Sequence, residues 1–144
     1  MKQLKEEDIQ ELITIALLML LRSYAPYSHF QVGAALLGKS GMIYTGCNIE
    51  NAAYTPSNCA ERTAFFKGVS EGEQAFTAIA IVGGPDGMPK DYVTPCGVCR
   101  QVMAEFCDPE EFQVILATDR QNYEVCNLGE LFPRGFGPGD LSKN

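Results

Sequence analysis

The sequence predicts an α/β fold, a three-layer α/β/α sandwich around a mixed five-stranded sheet, built as a single domain over residues 1–144. A candidate β-hairpin is followed by helical segments that alternate with short, continuous apolar runs. Such runs are typical of strands that helices cover on both faces. The length of 144 residues, without an internal repeat, linker or low-complexity tract, favours one domain.

Three helices are predicted from apolar periodicity and start signals, over residues 6–22, 57–70 and 95–106. The first opens with acidic residues and repeats apolar residues at helical spacing. The second and third open at proline-containing signals. Leu18 and Leu21 place apolar groups outside the main apolar face of the first helix, which points to a contact between subunits.

Five strands are predicted over residues 30–37, 42–49, 75–82, 112–117 and 124–127. The first two form a hairpin through a glycine-containing turn over residues 38–41. The runs 75–82 and 112–117 are continuously apolar, as in strands covered on both faces. Residues 132–138 contain two prolines and two glycines, which interrupt regular structure, around two aromatic side chains, and no element is predicted there.

Charge and hydropathy exclude several classes of partner. The chain has 18 acidic against 11 basic residues, a net charge of −7, and therefore no basic footprint for nucleic acid. Its one long apolar run, residues 12–21, is shorter than the roughly 20 residues that span a bilayer. The acidic residues ahead of that run do not fit a secretory leader. We expect a cytoplasmic protein with reduced thiols that acts on a small uncharged molecule.

Three of the six cysteines lie in two short motifs at predicted helix starts, residues 59–62 and 95–100. Cys96 and Cys99 are three residues apart, so one helical turn directs both sulfurs to the same side. Helix N-termini stabilise thiolates, the form that binds zinc. If the two helices start at the carboxyl ends of neighbouring strands, the Cys59 sulfur lies close to those of Cys96 and Cys99. Three protein ligands leave a fourth position open for water, as in catalytic zinc sites.

The residues beside Cys59 complete this hypothesis. Three thiolates and Zn²⁺ carry a net charge of −1, which weakens the activation of water. Arg62 can offset that charge if its guanidinium reaches the sulfurs. Glu61 supplies a carboxylate beside the water, where it can shuttle protons.

Two other interpretations of the cysteines stay open at this point. A Cys-x-x-Cys pair alone fits a redox protein about as well as a metal site. A closed four-cysteine zinc site could recruit Cys47, Cys107 or Cys126, although each lies singly in an apolar or strand-like stretch and fits a small buried hydrophobic residue better. His29, the only histidine, has no partner at ligand spacing and is interpreted as a loop residue.

The motif Cys-x-Glu followed by Pro-Cys-x-x-Cys resembles the zinc deaminase signature in its three-cysteine variant. The chain is similar to the small homotetrameric cytidine deaminases of the cytidine/deoxycytidylate deaminase superfamily. The likeness includes residues 25–36, 46–54, 59–64 and 131–138, and therefore extends over about 24–138.

This resemblance implies roles for particular residues. Zinc, one ion per subunit, is held by Cys59, Cys96 and Cys99, with Glu61 as the catalytic proton shuttle and Arg62 as the neutralising cation. Substrate binding is assigned to Phe30 at the base, Asn48 and Glu50 at the ribose hydroxyl, Ala60, and Tyr54 and Phe136, the last two reaching into the neighbouring subunit's site. Independently, Asn48 and Glu50 share one face of a strand because they are two residues apart. Without the resemblance, polar residues that simply close a strand would be the plainer interpretation.

The implied function is zinc-dependent hydrolysis of cytidine and 2′-deoxycytidine to uridine and 2′-deoxyuridine with release of ammonia, as in pyrimidine salvage. The implied assembly is a homotetramer whose sites are shared between subunits, without nucleic-acid or membrane partners. Two alternatives stay open, a blasticidin S-type deaminase with the same three-cysteine design and a non-catalytic zinc or redox protein.

Overall fold

The computed structural model describes residues 4–142, which form five strands, five helices and one 3₁₀ turn. The helices are α1 (Glu6–Met19), α2 (Ala60–Ser70), α3 (Gly97–Phe106), α4 (Leu128–Leu131) and α5 (Pro138–Leu141). The strands are β1 (Phe30–Gly38), β2 (Ile43–Cys47), β3 (Phe76–Pro85), β4 (Gln113–Ala117) and β5 (Tyr123–Asn127). Among these residues, no helix combines the length and the hydropathy that a bilayer crossing requires.

The five strands form one mixed sheet in the order β2-β1-β3-β4-β5. Strands β3 and β4 pair in parallel, and the other three pairs are antiparallel. The parallel pair needs a crossover connection, and α3 lies within it. The predicted mixed five-stranded sheet is therefore confirmed.

Helices cover both faces of the sheet, which confirms the three-layer arrangement. Successive residues of a strand point to opposite faces, so Leu36 of β1 packs in the core beneath α2 and α3, while Ala35 packs beneath α1. The side facing α1 is lined by small residues of β3, Ala78 and Ala80. Helix α1 approaches closely enough that a Cβ at Gly33 would overlap a carbonyl oxygen of that helix.

Several predicted boundaries were wrong by a few residues. Helix α1 ends at Met19 and continues as the 3₁₀ turn Leu20–Arg22, which is a tighter hydrogen-bonded ending of the same run. The tail over residues 132–138 contains no element apart from the first residue of α5, and the short helices α4 and α5 on either side of it were not predicted. The Asn127 side chain caps α4 by accepting a hydrogen bond from the backbone N–H of Glu130.

The second predicted strand was too long at its carboxyl end, and this difference shapes the site. Strand β2 ends at Cys47 because the chain leaves β1 after Asn48, whose N–H still donates to the Val32 carbonyl at 3.2 Å. The Ile49 N–H and carbonyl bond to Asn58 at 2.9 Å, and the Glu50 N–H donates to the Tyr24 carbonyl at 2.8 Å. Residues 48–50 are thus held between two loops at the sheet edge.

Gly46 of β2 allows α2 to lie directly against the sheet. A Cβ at this position would overlap the Ala60 carbonyl oxygen and lie 2.7 Å from the Ala64 nitrogen. Both partners are backbone atoms, which cannot rotate away as a side chain can. The start of α2 is therefore positioned by a contact that only glycine permits.

We expect the substitution Gly46→Ala to destabilise the protein by about 2 kcal/mol, because overpacking against backbone forces a displacement of the helix. Denaturant unfolding measures this loss. Gly139→Ala is the matched control, since a Cβ there meets nothing within 4 Å. Equal stability of the two variants would contradict the close-approach argument.

Candidate metal centre and active-site cleft

The three motif cysteines meet because two helices start at the same edge of the sheet. Strands β2 and β3 both pair antiparallel with β1, so they run in the same direction and end together. Cys59 is the N-cap residue of α2, and Cys96 is the N-cap residue of α3. The expectation of neighbouring strands was wrong, because β1 lies between β2 and β3. The expectation of converging helix starts is confirmed.

Both helices also start later than predicted, since the cysteines precede the helices as caps. The Cys96 backbone is extended, and its sulfur accepts a hydrogen bond from the Cys99 N–H at 3.4 Å. Sulfur at an N-cap takes the position usually filled by a side-chain oxygen. The helix dipole therefore acts on these sulfurs at short range.

The spacing of the sulfurs fits a tetrahedral zinc ion. The Sγ atoms of Cys59 and Cys96 are 3.7 Å apart, and those of Cys96 and Cys99 are 3.3 Å apart. Tetrahedral Zn–S bonds of about 2.3 Å place two sulfurs about 3.8 Å apart. Within residues 4–142, no other cysteine, histidine, aspartate or glutamate joins this cluster. The three thiols therefore fit a zinc ion and would leave it a coordination position without a protein ligand.

Arg62 lies beside the cluster, where the sequence analysis expects a neutralising cation. Its Nη2 donates a hydrogen bond to the Cys59 sulfur at 3.3 Å. Hydrogen bonding with Cys99, and then with Arg62, lowers the pKa of Cys59 to about 5 against the opposing effect of burial. A thiolate, the form that binds metal, is therefore favoured at neutral pH.

Glu61, one residue into α2, is buried with 4% of its surface exposed. Burial raises the pKa of its carboxyl to about 7, and the nearby Cys59 sulfur adds to the rise. A carboxyl that titrates near neutrality can both accept and donate a proton, which is the requirement for acid–base catalysis.

The cluster opens into a cleft of about 460 Å³, a size that suits a small molecule. Its lining includes five residues that the sequence assigned to substrate or catalysis: Asn48, Glu50, Tyr54, Ala60 and Glu61. Ala60 is fully buried beneath the cleft, whereas Tyr54 is 73% exposed. The cleft also contains Cys59, Cys96 and Arg62.

Two residues of the predicted substrate site do not line this cleft. Phe30 lines an adjacent cavity that shares Val93 and Thr94 with the cleft. Phe136 lies on the C-terminal side of α3, where its carbonyl accepts a hydrogen bond from Gln101 Nε2 at 2.8 Å. It is 56% exposed. Within this chain, Phe136 therefore lines a different part of the surface.

The remaining cysteines stay outside the metal cluster. Cys47, Cys107 and Cys126 are buried free thiols, as the sequence predicted. Burial raises the pKa of Cys107 above the range in which a thiolate forms near neutrality. A closed four-cysteine zinc site is therefore wrong for this chain. His29 lies in the loop before β1 with a left-handed backbone, φ 57°.

The sequence analysis missed several residues that hold the site in position without lining the cleft. Arg100 Nε donates to the Pro95 carbonyl at 2.7 Å, and its Nη1 bonds the Leu131 carbonyl, so it ties the turn before Cys96 to the C-terminal region. Ser28 and Ser23 hydrogen-bond Glu50 and Asn48. Apart from Pro95, these partners are 22 to 31 residues apart along the chain, and no local pattern distinguishes them from other polar residues.

An α/β/α sandwich with three thiols at two helix starts beside a buried carboxyl defines a zinc-binding protein of the hydrolytic kind. The family profile described as "Cytidine and deoxycytidylate deaminase zinc-binding region" matches residues 6–115. The chain belongs to this family.

Named relatives resemble the chain over almost its whole length. A cytidine deaminase of Sporosarcina psychrophila is 47% identical over 94% of this chain and 96% of its own length. One from Halalkalibacterium halodurans is also 47% identical, over 94% of this chain and 98% of its own. The crystal structure of a Burkholderia pseudomallei cytidine deaminase superposes with a TM-score of 0.78 at 43% identity, over 88% of this chain and 97% of the other.

After zinc removal, we expect the more exposed thiols of the cluster to react faster than the buried thiols outside it. After chelation, iodoacetamide should modify Cys59 and Cys96 first, because Cys59 is partly exposed and Cys96 is exposed, and because the pKa of Cys59 is low. Peptide mass spectrometry locates the modified thiols. Buried Cys107 and Cys126 are internal controls, and their modification at the rate of Cys59 would contradict the assignment.

Proposed function

We propose that the protein catalyses hydrolytic deamination of cytidine and 2′-deoxycytidine to uridine and 2′-deoxyuridine, with release of ammonia, as a step of pyrimidine salvage. The observation that carries this proposal is the buried Glu61 carboxyl beside Cys59, in a cleft of nucleoside size. The relatives named as cytidine deaminases support it, since they match nearly the full chain.

Cys59, Cys96 and Cys99 would hold the zinc ion, which would lower the pKa of a water molecule towards neutrality. Glu61 is placed to take one proton from water and transfer it to N3 of the base, which makes C4 more electrophilic. After the resulting hydroxide adds at C4, Glu61 takes the proton of the new hydroxyl group and gives it to the amino group, so that the C4–N bond breaks and ammonia leaves. Arg62 keeps the charge of the thiolates low by its bond to Cys59.

The charges of the cleft favour a neutral nucleoside over a nucleotide. Among the described residues that line it, Arg62 is the only basic side chain, and it already bonds the Cys59 sulfur. Glu50 and Glu61 are acidic, and the chain has a net charge of −7. A phosphate group would meet repulsion without a compensating cation.

We also propose a homotetramer in which Tyr54 and Phe136 complete the neighbouring subunit's site. Exposed apolar side chains support an assembly: Leu18 is 60% and Leu21 is 83% exposed on the first helical segment.

Six free thiols fit a reducing compartment, which supports a cytoplasmic location.

The substitution Glu61→Ala should reduce kcat by about 10² or more while zinc stays bound, because the carboxyl shuttles protons and is not a ligand. The assay is the ultraviolet loss of the cytosine chromophore, with zinc content measured on the same samples. Deamination at the parent rate would contradict the mechanism.

The same assay separates the candidate substrates when cytidine, deoxycytidine, CMP and blasticidin S are offered in parallel. Turnover of the two nucleosides alone supports the proposal. Turnover of blasticidin S alone would move the function to a blasticidin S-type deaminase with the mechanism retained. Absence of turnover in zinc-loaded protein would favour the non-catalytic zinc protein.

Mixing two inactive variants tests whether sites are shared. A Phe136→Ala subunit retains Glu61, and a Glu61→Ala subunit retains Phe136. After subunit exchange, hybrid tetramers should recover activity, because a site can combine one intact residue from each chain. Light scattering confirms the mass of the assembly. Activity no higher than the sum of the separate variants would contradict a shared site.

A further inference from the structure

The loop between α1 and β1 contacts the cleft through Ser28. The Ser28 hydroxyl donates a hydrogen bond to Oε2 of Glu50. The backbone N–H groups of Tyr27 and Ser28 donate to Oε1 of the same carboxylate at 3.0 and 3.1 Å. Three donors from one loop therefore hold a carboxylate that lines the cleft.

The direction of the Ser28 hydroxyl is determined by a second bond. Its oxygen accepts the Phe30 backbone N–H at 3.1 Å, so its proton is available for Glu50. These bonds, with that from the Ser28 hydroxyl as the largest cause, hold the pKa of Glu50 below its usual value. Glu50 is thus an ionised group that can only accept hydrogen bonds.

The neighbouring Asn48 amide is held so that its nitrogen, rather than its oxygen, can make a further hydrogen bond. Its Oδ1 accepts hydrogen bonds from the Val32 N–H at 2.9 Å and from the Ser23 hydroxyl. One N–H of Nδ2 donates to the Phe30 carbonyl at 2.7 Å. The amide has one further N–H, so Asn48 can offer a donor where Glu50 offers an acceptor.

A donor and an acceptor two residues apart suit a group that both donates and accepts, which is a hydroxyl. Under the proposed function, the amino group at C4 lies at Glu61 and the metal ligands. The ribose hydroxyls are then the groups of a nucleoside that remain for Asn48 and Glu50.

We propose that Ser28 is a positioning residue that aligns the Glu50 carboxylate to accept a hydrogen bond from a ribose hydroxyl. This inference rests on the proposed function. Ser28 acts through Glu50 and touches none of the reacting atoms, so its contribution lies in substrate binding. Binding of the sugar therefore depends on the loop between α1 and β1.

The Ser28→Ala variant should raise KM for cytidine about fivefold to tenfold and leave kcat within about twofold, because a hydrogen bond to a charged group is lost from binding. Ser28→Thr keeps a hydroxyl and should restore KM. With 2′,3′-dideoxycytidine, which lacks the 2′ and 3′ hydroxyls, Ser28→Ala should change KM little relative to the parent protein.

Ser40→Ala is a matched control. Ser40 makes the same arrangement at the other end of β1, donating to Glu73 and accepting the Met42 N–H at 3.3 Å. It should leave KM for cytidine unchanged. Parent-like KM in Ser28→Ala, or an equal KM rise with the dideoxynucleoside, would overturn the inference. A parent protein that does not deaminate cytidine would overturn the proposed function itself, and the inference with it.

Discussion

The close contact between the start of α2 and strand β2 is the constraint on which the site depends. Gly46 lets the helix backbone lie against the strand, and Cys59, Ala60 and Glu61 occupy that first turn. Because backbone atoms form the contact, their positions are determined more tightly than a side-chain contact would allow. The positions of Cys59, Ala60 and Glu61 therefore all depend on the contact at Gly46.

The metal cluster also depends on the order of the strands. Strands β2 and β3 end at one edge only because both pair with β1 in the antiparallel sense. Each is followed by a helix whose N-cap is a cysteine, so two helix dipoles meet the same group of sulfurs. The topology places thiolates, which repel one another, where positive partial charges and Arg62 offset that repulsion.

The cleft combines groups with opposite electrostatic requirements. Glu61 is buried, which raises the pKa of its carboxyl, whereas Glu50 has loop donors that lower the pKa of its own. The two carboxyls are therefore suited to different tasks, one exchanging protons and the other accepting hydrogen bonds. The environment of each side chain, rather than its identity, separates these tasks.

The sequence by itself indicated the three-layer class, the five strands and the three long helices within a few residues, and the three cysteines that cluster, because periodicity and motif spacing are local properties. It also placed Glu61 and Arg62 beside the cluster, since they adjoin Cys59 in the chain. Tertiary structure decided that β1 separates the two strands that precede the motif-bearing helices and that Phe136 lies outside the cleft of its own chain. It also decided that Ser28 holds Glu50 from 22 residues away. Such contacts join distant parts of the chain, and no local pattern of residues encodes them.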